Sequence, residues 1–464
     1  MTQREAKLLV VSNRLPVERK RGEWQPAAGG LVTALAPALA RRGGTWIGWA
    51  GGAAEVPPHV HGLDVDLAAV PLDRRLVDGY YHGFSNRALW PLLHGLVDQI
   101  VFERSHWNAY REANALFAEA AAGASAGGRA IVWVQDYHLM LVPAALRELA
   151  PGAAIGFFSH IPWAAPELVA RLPWRDALVD GLLGADVVGF HTEEYRSNFV
   201  QTVARLRDDV RVRGRTLELP DGRRVATVAH PISIDTREFG DQARAPGVER
   251  CLHPLRRQFE GRRVLVGVDR LDYTKGIPER LRAIELLLES RPDLRGSVAY
   301  VQIAVPSREQ VQEYRVLRRQ VEELVGRING RFTEPGRDVP VHYLFRGVPR
   351  ERLLAYYRVA DACLVTPLRD GMNLVAKEFV TAQGAVGGAG ALVLSEFTGA
   401  AEQLRDALRC NPFDAEGLAA VIGRALELDE DDRRRRIRRM ADTVARHDIH
   451  WWTEQQLGAI EAAA

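Results

Sequence analysis

The chain has 464 residues, 47% hydrophobic and 26% charged, which supplies enough apolar material for two substantial cores. Sixty-one basic against 59 acidic residues leave a formal charge of +2, so the balance argues against a nucleic-acid or membrane-surface binder and makes any anion site local. Cys251, Cys363 and Cys410 are widely spaced and give neither a metal-ligand pattern nor a disulfide framework; the polar N-terminus and the short apolar run after it lack the length of a signal or membrane span. A cytoplasmic protein is expected.

Short runs rich in Val, Ile and aromatics recur between longer helical stretches: Leu8–Val11, Ile131–Val134, Ile155–Phe158, Val187–Phe190, Val264–Val268, Val298–Ala304, Cys363–Val365 and Leu392–Leu394. The alternation predicts parallel sheets covered by helices on both faces. A strand-like run ends near Ala229–Thr236 and a polar, Gly- and Pro-containing stretch follows, which divides the chain into two Rossmann-like, doubly wound halves with a ligand-binding cleft between them. Helix-dipole charge order marks Asp429–Met440 as a solvated helix, and the segment around Trp451–Ile460 is amphipathic.

In doubly wound sheets ligands sit beyond the carboxyl ends of the strands, and here a polar cluster follows each run. After Leu8–Val11 come Ser12, Asn13 and Arg14, and the loop reaches Gly29 and Gly30 at the start of a helical stretch. A glycine pair there either lets amides approach a phosphate or simply turns the chain. Trp49, Tyr81 and Trp90 read as aromatics in polar loops, suited to a sugar face or to core packing. Asp64 and Asp66 alternate with apolar residues as in an edge strand, which disfavours a metal site.

Gln135-Asp136-Tyr137-His138 and Ser159-His160-Ile161-Pro162-Trp163 close the next two runs. After Val264–Val268, Arg270 and Lys275 lie five residues apart on one loop, where a guanidinium and an ammonium would neutralise a leaving diphosphate. Only four of the 61 basic residues are lysines, and Lys275 and Lys377 both fall in such clusters. After Cys363–Val365 comes a loop holding Asp370, then a helix opening Leu374-Val375-Ala376-Lys377-Glu378. Its first amides would face a phosphate, Glu378 would accept from ribose hydroxyls, and Asp370 from hydroxyls of a transferred sugar.

Ser12-Asn13-Arg14, Gly29-Gly30-Leu31, Phe84-Ser85-Asn86 with Leu89-Trp90-Pro91, Asp136-Tyr137-His138-Leu139, Arg270 to Gly276 and Thr366 to Glu378 together resemble the trehalose-6-phosphate synthase family, in order from about residue 8 to about 455. The resemblance implies an α/β chain of GT-B architecture: an acceptor-binding domain over 1–235, a nucleotide-sugar-binding domain over 236–445, an interdomain active-site cleft, and a helix in 446–464 crossing back to the first domain. It implies donor contacts at Gly29, Gly30, Arg270, Lys275, Phe345, Asp370, Leu374, Val375, Ala376, Lys377 and Glu378. Acceptor contacts would fall on Arg14, Trp49, Tyr81, Trp90, Asp136 and Arg308, and His160 would stand over the transferred sugar, so that His160, Arg270, Lys275 and Asp370 carry the chemistry.

Gln135 stands where the family often has His and Trp163 where it often has Phe, both departures expected to touch packing behind the site. Phe345 and Arg346 lie in the segment that lines the nucleotide base. The implied reaction is transfer of glucose from a nucleoside diphosphate glucose to glucose 6-phosphate with retention, with no cofactor and no metal; membrane and nucleic-acid partners are not expected, and a homo-oligomer is compatible. The rivals are the same fold acting on a glycerol phosphate or cyclitol phosphate, and a non-catalytic regulatory subunit.

Overall fold

The computed structural model describes residues 7–20, 22–27, 30–52, 56–125, 130–308 and 312–464. The chain forms two compact units, one of Met1–Ile232 with Ile449–Ala464 and one of Ser233–Asp448.

The first unit is built on a nine-stranded sheet of β1 (Lys7–Arg14), β4 (Thr45–Trp49), β5 (Asp66–Ala69), β6 (Ala130–Gln135), β7 (Ala154–Phe158), β8 (Val187–Phe190), β9 (Arg211–Arg213), β10 (Thr216–Glu218) and β11 (Arg224–Ala229). Their spatial order is β5-β4-β1-β6-β7-β8-β11-β10-β9. Pairing is parallel from β5 through β11 and turns antiparallel at β10 and β9, a meander the apolar runs did not foretell. β2 (Val17–Lys20) and β3 (Glu23–Pro26) make a separate antiparallel hairpin. Leu8 to Val11 and Val132 to Val134 are completely buried, as central parallel strands covered on both faces must be. β5, with Asp66, is one of the sheet's two edge strands.

The last helix, Ile449–Ala463, belongs to this unit. Trp452 is fully buried with its ring centroid 5.0 Å from that of Trp133 on β6 and 5.1 Å from that of Phe158 on β7. Ile460 fills the space where a Cβ on residue 156 would stand, so β7 carries a glycine there.

The second unit holds β12 (Arg263–Arg270), β13 (Val298–Val305), β14 (Val341–Leu344), β15 (Ala362–Val365), β16 (Ala391–Ser395) and β17 (Leu408–Cys410), all parallel in the order β14-β13-β12-β15-β16-β17. Taken in chain order this is the 3-2-1-4-5-6 arrangement of a dinucleotide-binding sheet. Leu265, Leu281, Ile284, Val321, Ile328, Val393 and Ile422 are among its core residues, so strands and the helices Ile277–Ser290, Gln312–Phe332 and Ala415–Glu427 share one apolar centre.

Each sheet reverses its strand order once near the middle, between β1 and β6 in the first unit and between β12 and β15 in the second. In folds of this kind the loops leaving the carboxyl ends of the two strands at the reversal part to opposite faces, and the crevice they frame is where ligands bind.

Candidate functional site

At the switch of the first unit, Arg14 ends β1 and Asp136 follows β6. The Arg14 guanidinium lies 4.3 Å from the ring centroid of Trp49, the last residue of β4. Gly51 has φ 87°, and a Cβ there would collide with the Arg14 guanidinium, so the close approach requires glycine. Tyr81 is 6.3 Å from Trp49 between centroids and stacks on His138 at 5.7 Å.

The three aromatics do not sit in loops as the sequence suggested. Trp49 closes a strand, Tyr81 lies in the π-helical stretch Val77–Leu89, and Trp90 opens the helical turn Trp90–Leu93. Glycines and polar residues within 77–89 mask a helix held by its surroundings: Tyr80 and Phe84 are fully buried, and Tyr137 donates its hydroxyl to Asn86 Oδ1 at 2.9 Å. Gly30 is the first residue of the helix Gly30–Arg42, while Gly29 lies outside the described residues.

His160 follows β7. Its Nε2–H donates to Gln135 Oε1 at 2.8 Å, which leaves Nδ1 as the acceptor nitrogen, and its backbone N–H donates to Asp136 Oδ1 at 3.0 Å. Gln135 therefore supports the histidine through a hydrogen bond from behind it. Part of the His160 surface is open, yet its ring is closely surrounded, with Phe158, His191 and Trp452 at 4.9, 5.4 and 5.9 Å between centroids. That burial pushes the imidazole down to about 3, so the ring is neutral at any ordinary pH. Trp163 is a core residue whose indole N–H donates to Thr202 Oγ1 at 3.1 Å, a bond that Phe at that position could not make.

At the switch of the second unit, Arg270 ends β12 with its side chain exposed, and Lys275 closes the short helical turn Tyr273–Lys275, whose Thr274 carbonyl accepts from the Leu368 amide beyond β15 at 2.8 Å. Lys275 Nζ donates to Asp370 Oδ2 at 2.5 Å, and Asn373 Nδ2 donates to the same oxygen at 3.0 Å. Gly276, at φ 63°, lies so close to the Thr366 carbonyl that no Cβ could fit. Beneath the loop the fully buried Arg280 donates to Asp269 Oδ2 at 2.7 Å, Gln302 Oε1 at 2.8 Å, Thr366 Oγ1 at 2.9 Å and the Lys275 carbonyl at 3.3 Å. One rigid fork thus ties the strand end, the Lys275 loop and the loop after β15.

The helix Leu374–Ala385 starts at this crevice. Asn373 caps it, accepting from the Ala376 amide at 3.3 Å, so the outermost amides are those of Leu374 and Val375. Ala376 and Lys377 are fully buried, and burial pushes the Lys377 ammonium down to about 7; neither side chain is presented at the helix start. Glu378 accepts from the Tyr357 hydroxyl at 3.0 Å, and burial raises its carboxyl above the usual range against the opposing pull of Arg350. Phe345 follows β14 with the Arg318 guanidinium 4.2 Å from its ring centroid.

Arg308 belongs to this second unit, with Arg270 and Lys275 rather than with the other expected acceptor residues. Its Nη1 donates to Asp272 Oδ2 at 3.2 Å. Among the described residues only Asp136, Arg308 and Asn373 are non-glycines with positive φ, at 74°, 48° and 72°. All three stand on loops of the two crevices, where stored backbone strain accompanies function.

The sequence reading gave no role to Asp272, Arg280, Asn373 or Trp452. Asp272 and Asn373 lie within the motifs at 270–276 and 366–378, and Arg280 is a charge on the stripe of Ile277 and Ile284 that faces the core. Among the described residues no three His, Cys, Asp or Glu side chains gather as a metal site, and no helix is long and apolar enough to cross a membrane.

Two Rossmann-like units with aromatic and cationic groups at their switch points, one facing a helix N-terminus, define a GT-B glycosyltransferase. Residues 6–462 match the family model described as Glycosyltransferase family 20, and the chain belongs to that family. It is 46% identical over 467 residues to the trehalose-6-phosphate synthase of Mycolicibacterium smegmatis, covering 98% of this chain and 92% of that protein. It is similar to the solved structure of a UDP-forming alpha,alpha-trehalose-phosphate synthase from Burkholderia vietnamiensis, with a TM-score of 0.91, 36% identity, and coverage of 98% and 99% of the two chains. A UDP-forming enzyme from Burkholderia xenovorans in complex with glucose-6-phosphate gives a TM-score of 0.90 at 35% identity, with 98% and 100% covered.

Proposed function

We propose that the protein transfers glucose from a nucleoside diphosphate glucose to glucose 6-phosphate, forming α,α-trehalose 6-phosphate with retention at the donor's anomeric carbon. The observation that carries this reading is the second unit's crevice, where Lys275 and Asp370 meet beside the open amides of Leu374 and Val375. A cation, a hydroxyl acceptor and a helix N-terminus within one crevice suit a sugar diphosphate.

In this reading Arg270, Lys275 and the two amides take up charge as the diphosphate departs, while Asp370 accepts from hydroxyls of the glucosyl ring. Glu378 accepts from ribose hydroxyls, and the base lies along the segment of Phe345. Arg308 and Arg14 bind the acceptor phosphate, Trp49, Tyr81 and Trp90 enclose the acceptor sugar, and Asp136 accepts from its hydroxyls. Neutral His160, oriented by Gln135, contacts the transferred sugar through the nitrogen that Gln135 leaves open. Relatives named UDP-forming favour uridine diphosphate glucose as donor. Free thiols at Cys251, Cys363 and Cys410 favour a cytoplasmic setting.

The test is to incubate the protein with uridine, guanosine and adenosine diphosphate glucose, each against glucose 6-phosphate, glycerol 3-phosphate and an inositol phosphate, and to identify products by mass and NMR. α,α-Trehalose 6-phosphate as the main product is expected. Transfer only to another acceptor, or none from any donor, overturns the reading.

A further inference from the structure

Asp272 is the most enclosed carboxylate at the second unit's crevice, with none of its surface exposed. Its two oxygens serve different partners. Oδ1 accepts from the Thr274 amide at 3.0 Å and the Thr274 hydroxyl at 2.9 Å, which fixes the turn that carries Lys275. Oδ2 accepts from Arg308 Nη1 at 3.2 Å and from the Tyr314 hydroxyl at 2.8 Å. Tyr314 in turn lies within hydrogen-bond distance of the same Arg308 nitrogen, closing a three-membered cluster.

Burial by itself would raise the Asp272 carboxyl, but Arg308, Arg270 and Lys275 hold it well below the usual carboxylate range, so it is ionised. Its charge is thus shared among three cations from two chain segments. Arg308 also keeps a left-handed backbone at φ 48°, which an arginine adopts only when its surroundings over-determine it. The carboxylate and Tyr314 supply that determination through the side chain, which is only 6% exposed.

We infer that Asp272 is a positioning residue with two separable halves, one oxygen aiming Arg308 at the acceptor phosphate and the other holding the Lys275 turn against the donor diphosphate. This rests on the proposed assignment of Arg308 to the acceptor and Lys275 to the donor. It makes Asp272 the physical link between the two binding events, although it touches neither substrate.

If Asp272 only neutralised charge, removing it would leave the three cations more attractive and would tighten both anionic substrates. If it positions Arg308, removing the Oδ2 acceptor must weaken the acceptor.

Asp272→Asn separates the two, since an amide oxygen can still accept from Thr274 while its NH2 faces Arg308 and Tyr314. Thr274→Val removes one bond from the other half. Steady-state KM values for glucose 6-phosphate and for the nucleoside diphosphate glucose are measured in both variants, in Tyr314→Phe, in Arg308→Ala and in the Asp272→Asn/Arg308→Ala pair, with thermal unfolding alongside. Asp272→Asn should raise KM for glucose 6-phosphate at least ~10-fold, the loss of one charge-assisted bond, with donor KM within about threefold of the parent. Thr274→Val should show the reverse pattern. Adding Asp272→Asn to Arg308→Ala should cost nothing further for the acceptor.

A fall or no change in KM for glucose 6-phosphate in Asp272→Asn, equal rises for both substrates, or multiplying losses in the double variant would overturn the inference. If Asp272→Asn does not fold, Tyr314→Phe decides, because it leaves the carboxylate and still loosens Arg308; a selective rise in acceptor KM supports the inference and its absence overturns it. An Arg308→Ala enzyme with unchanged acceptor KM would instead overturn the assignment of Arg308, a different failure.

Discussion

Lys275 Nζ and Asp370 Oδ2 are 2.5 Å apart, joining two residues that the sequence suggests for different tasks, one for a diphosphate and one for a sugar. Both side chains are mostly buried, at 11% and 14% exposed, so neither is readily left alone. With the donor placed as proposed, binding would exchange one partner for another: the ammonium would turn part of its field to phosphate while Asp370 keeps Asn373 and gains sugar hydroxyls. Lys275→Ala or Asp370→Ala alone should reduce turnover about 10²-fold or more. The double variant should lose much less than the product of the two, because each single change already leaves a buried charge unpaired. Single-turnover rates with saturating donor check this, and strictly multiplying losses would show the two acting independently.

Arg14 tests the acceptor side from the first unit. Its guanidinium lies over Trp49, an arrangement that a planar cation holds while still presenting N–H groups to a phosphate. Arg14→Lys keeps the charge and loses the fork and the stack, so KM for glucose 6-phosphate should rise by roughly tenfold with donor KM little changed. Equal KM values for Lys and Arg at this position would mean that charge alone matters there.

His160 gives a pH dependence whose sign follows from burial. Its ordinary value of 6.5 is pushed down to about 3, so the neutral ring favours folding; that contribution is complete above pH 6.5 and is lost as pH falls towards 3. Transfer should therefore show no limb near pH 6.5 from this histidine. Gln135→Glu would place a carboxylate against Nε2, raise the imidazole, and bring an acid limb and an NMR titration of His160 up towards neutrality. A His160 resonance that titrates near 6.5 in the parent would contradict the burial argument.

Much of this was legible because central parallel strands are written as unbroken apolar runs, so the polar residues just after each run had to lie at the carboxyl ends. Arg14, Asp136, Arg270 and Asp370 are found in that way. What stayed hidden is what distance along the chain conceals. Lys275 and Asp370 are 95 positions apart, and His160 and Gln135 are 25 apart. The helical state of Tyr81 comes from tertiary packing that overrides weak local propensity. Trp452 reaches the His160 ring because the last helix returns to the first unit, which an amphipathic pattern alone does not determine.

Transfer should proceed without an added metal ion. In the proposed assignment Arg270, Lys275 and the Leu374 and Val375 amides would supply the positive potential for a leaving diphosphate. Activity should persist at full rate in EDTA. Complete loss, restored only by a divalent ion, would show that the cations of the second unit are insufficient.

The final prediction is that no covalent glycosyl-enzyme forms. Retention by double displacement needs a free carboxylate close behind the anomeric carbon. Among the described residues, Asp370 is engaged by Lys275 and Asn373, Asp136 by the His160 amide, Glu378 by Tyr357, and Asp272 by Thr274, Tyr314 and Arg308. Asp272 is also wholly buried. The one group proposed over the sugar is His160, whose neutral imidazole can donate or accept a hydrogen bond but would give an unstable glycosyl cation adduct rather than an ester. In the proposed assignment the base for the incoming hydroxyl would be an oxygen of the departing diphosphate, held on the same face by Arg270 and Lys275, and capture on that face would preserve the α configuration. His160→Ala should slow transfer through lost positioning while still yielding the α,α product. Parent and variant are treated with a slow 2-fluoro nucleotide sugar and followed by intact-protein mass spectrometry and by NMR of the product. Unmodified protein with an α,α product is expected. A hexosyl adduct on any Asp or Glu that forms and discharges at a competent rate would replace this mechanism with a double displacement.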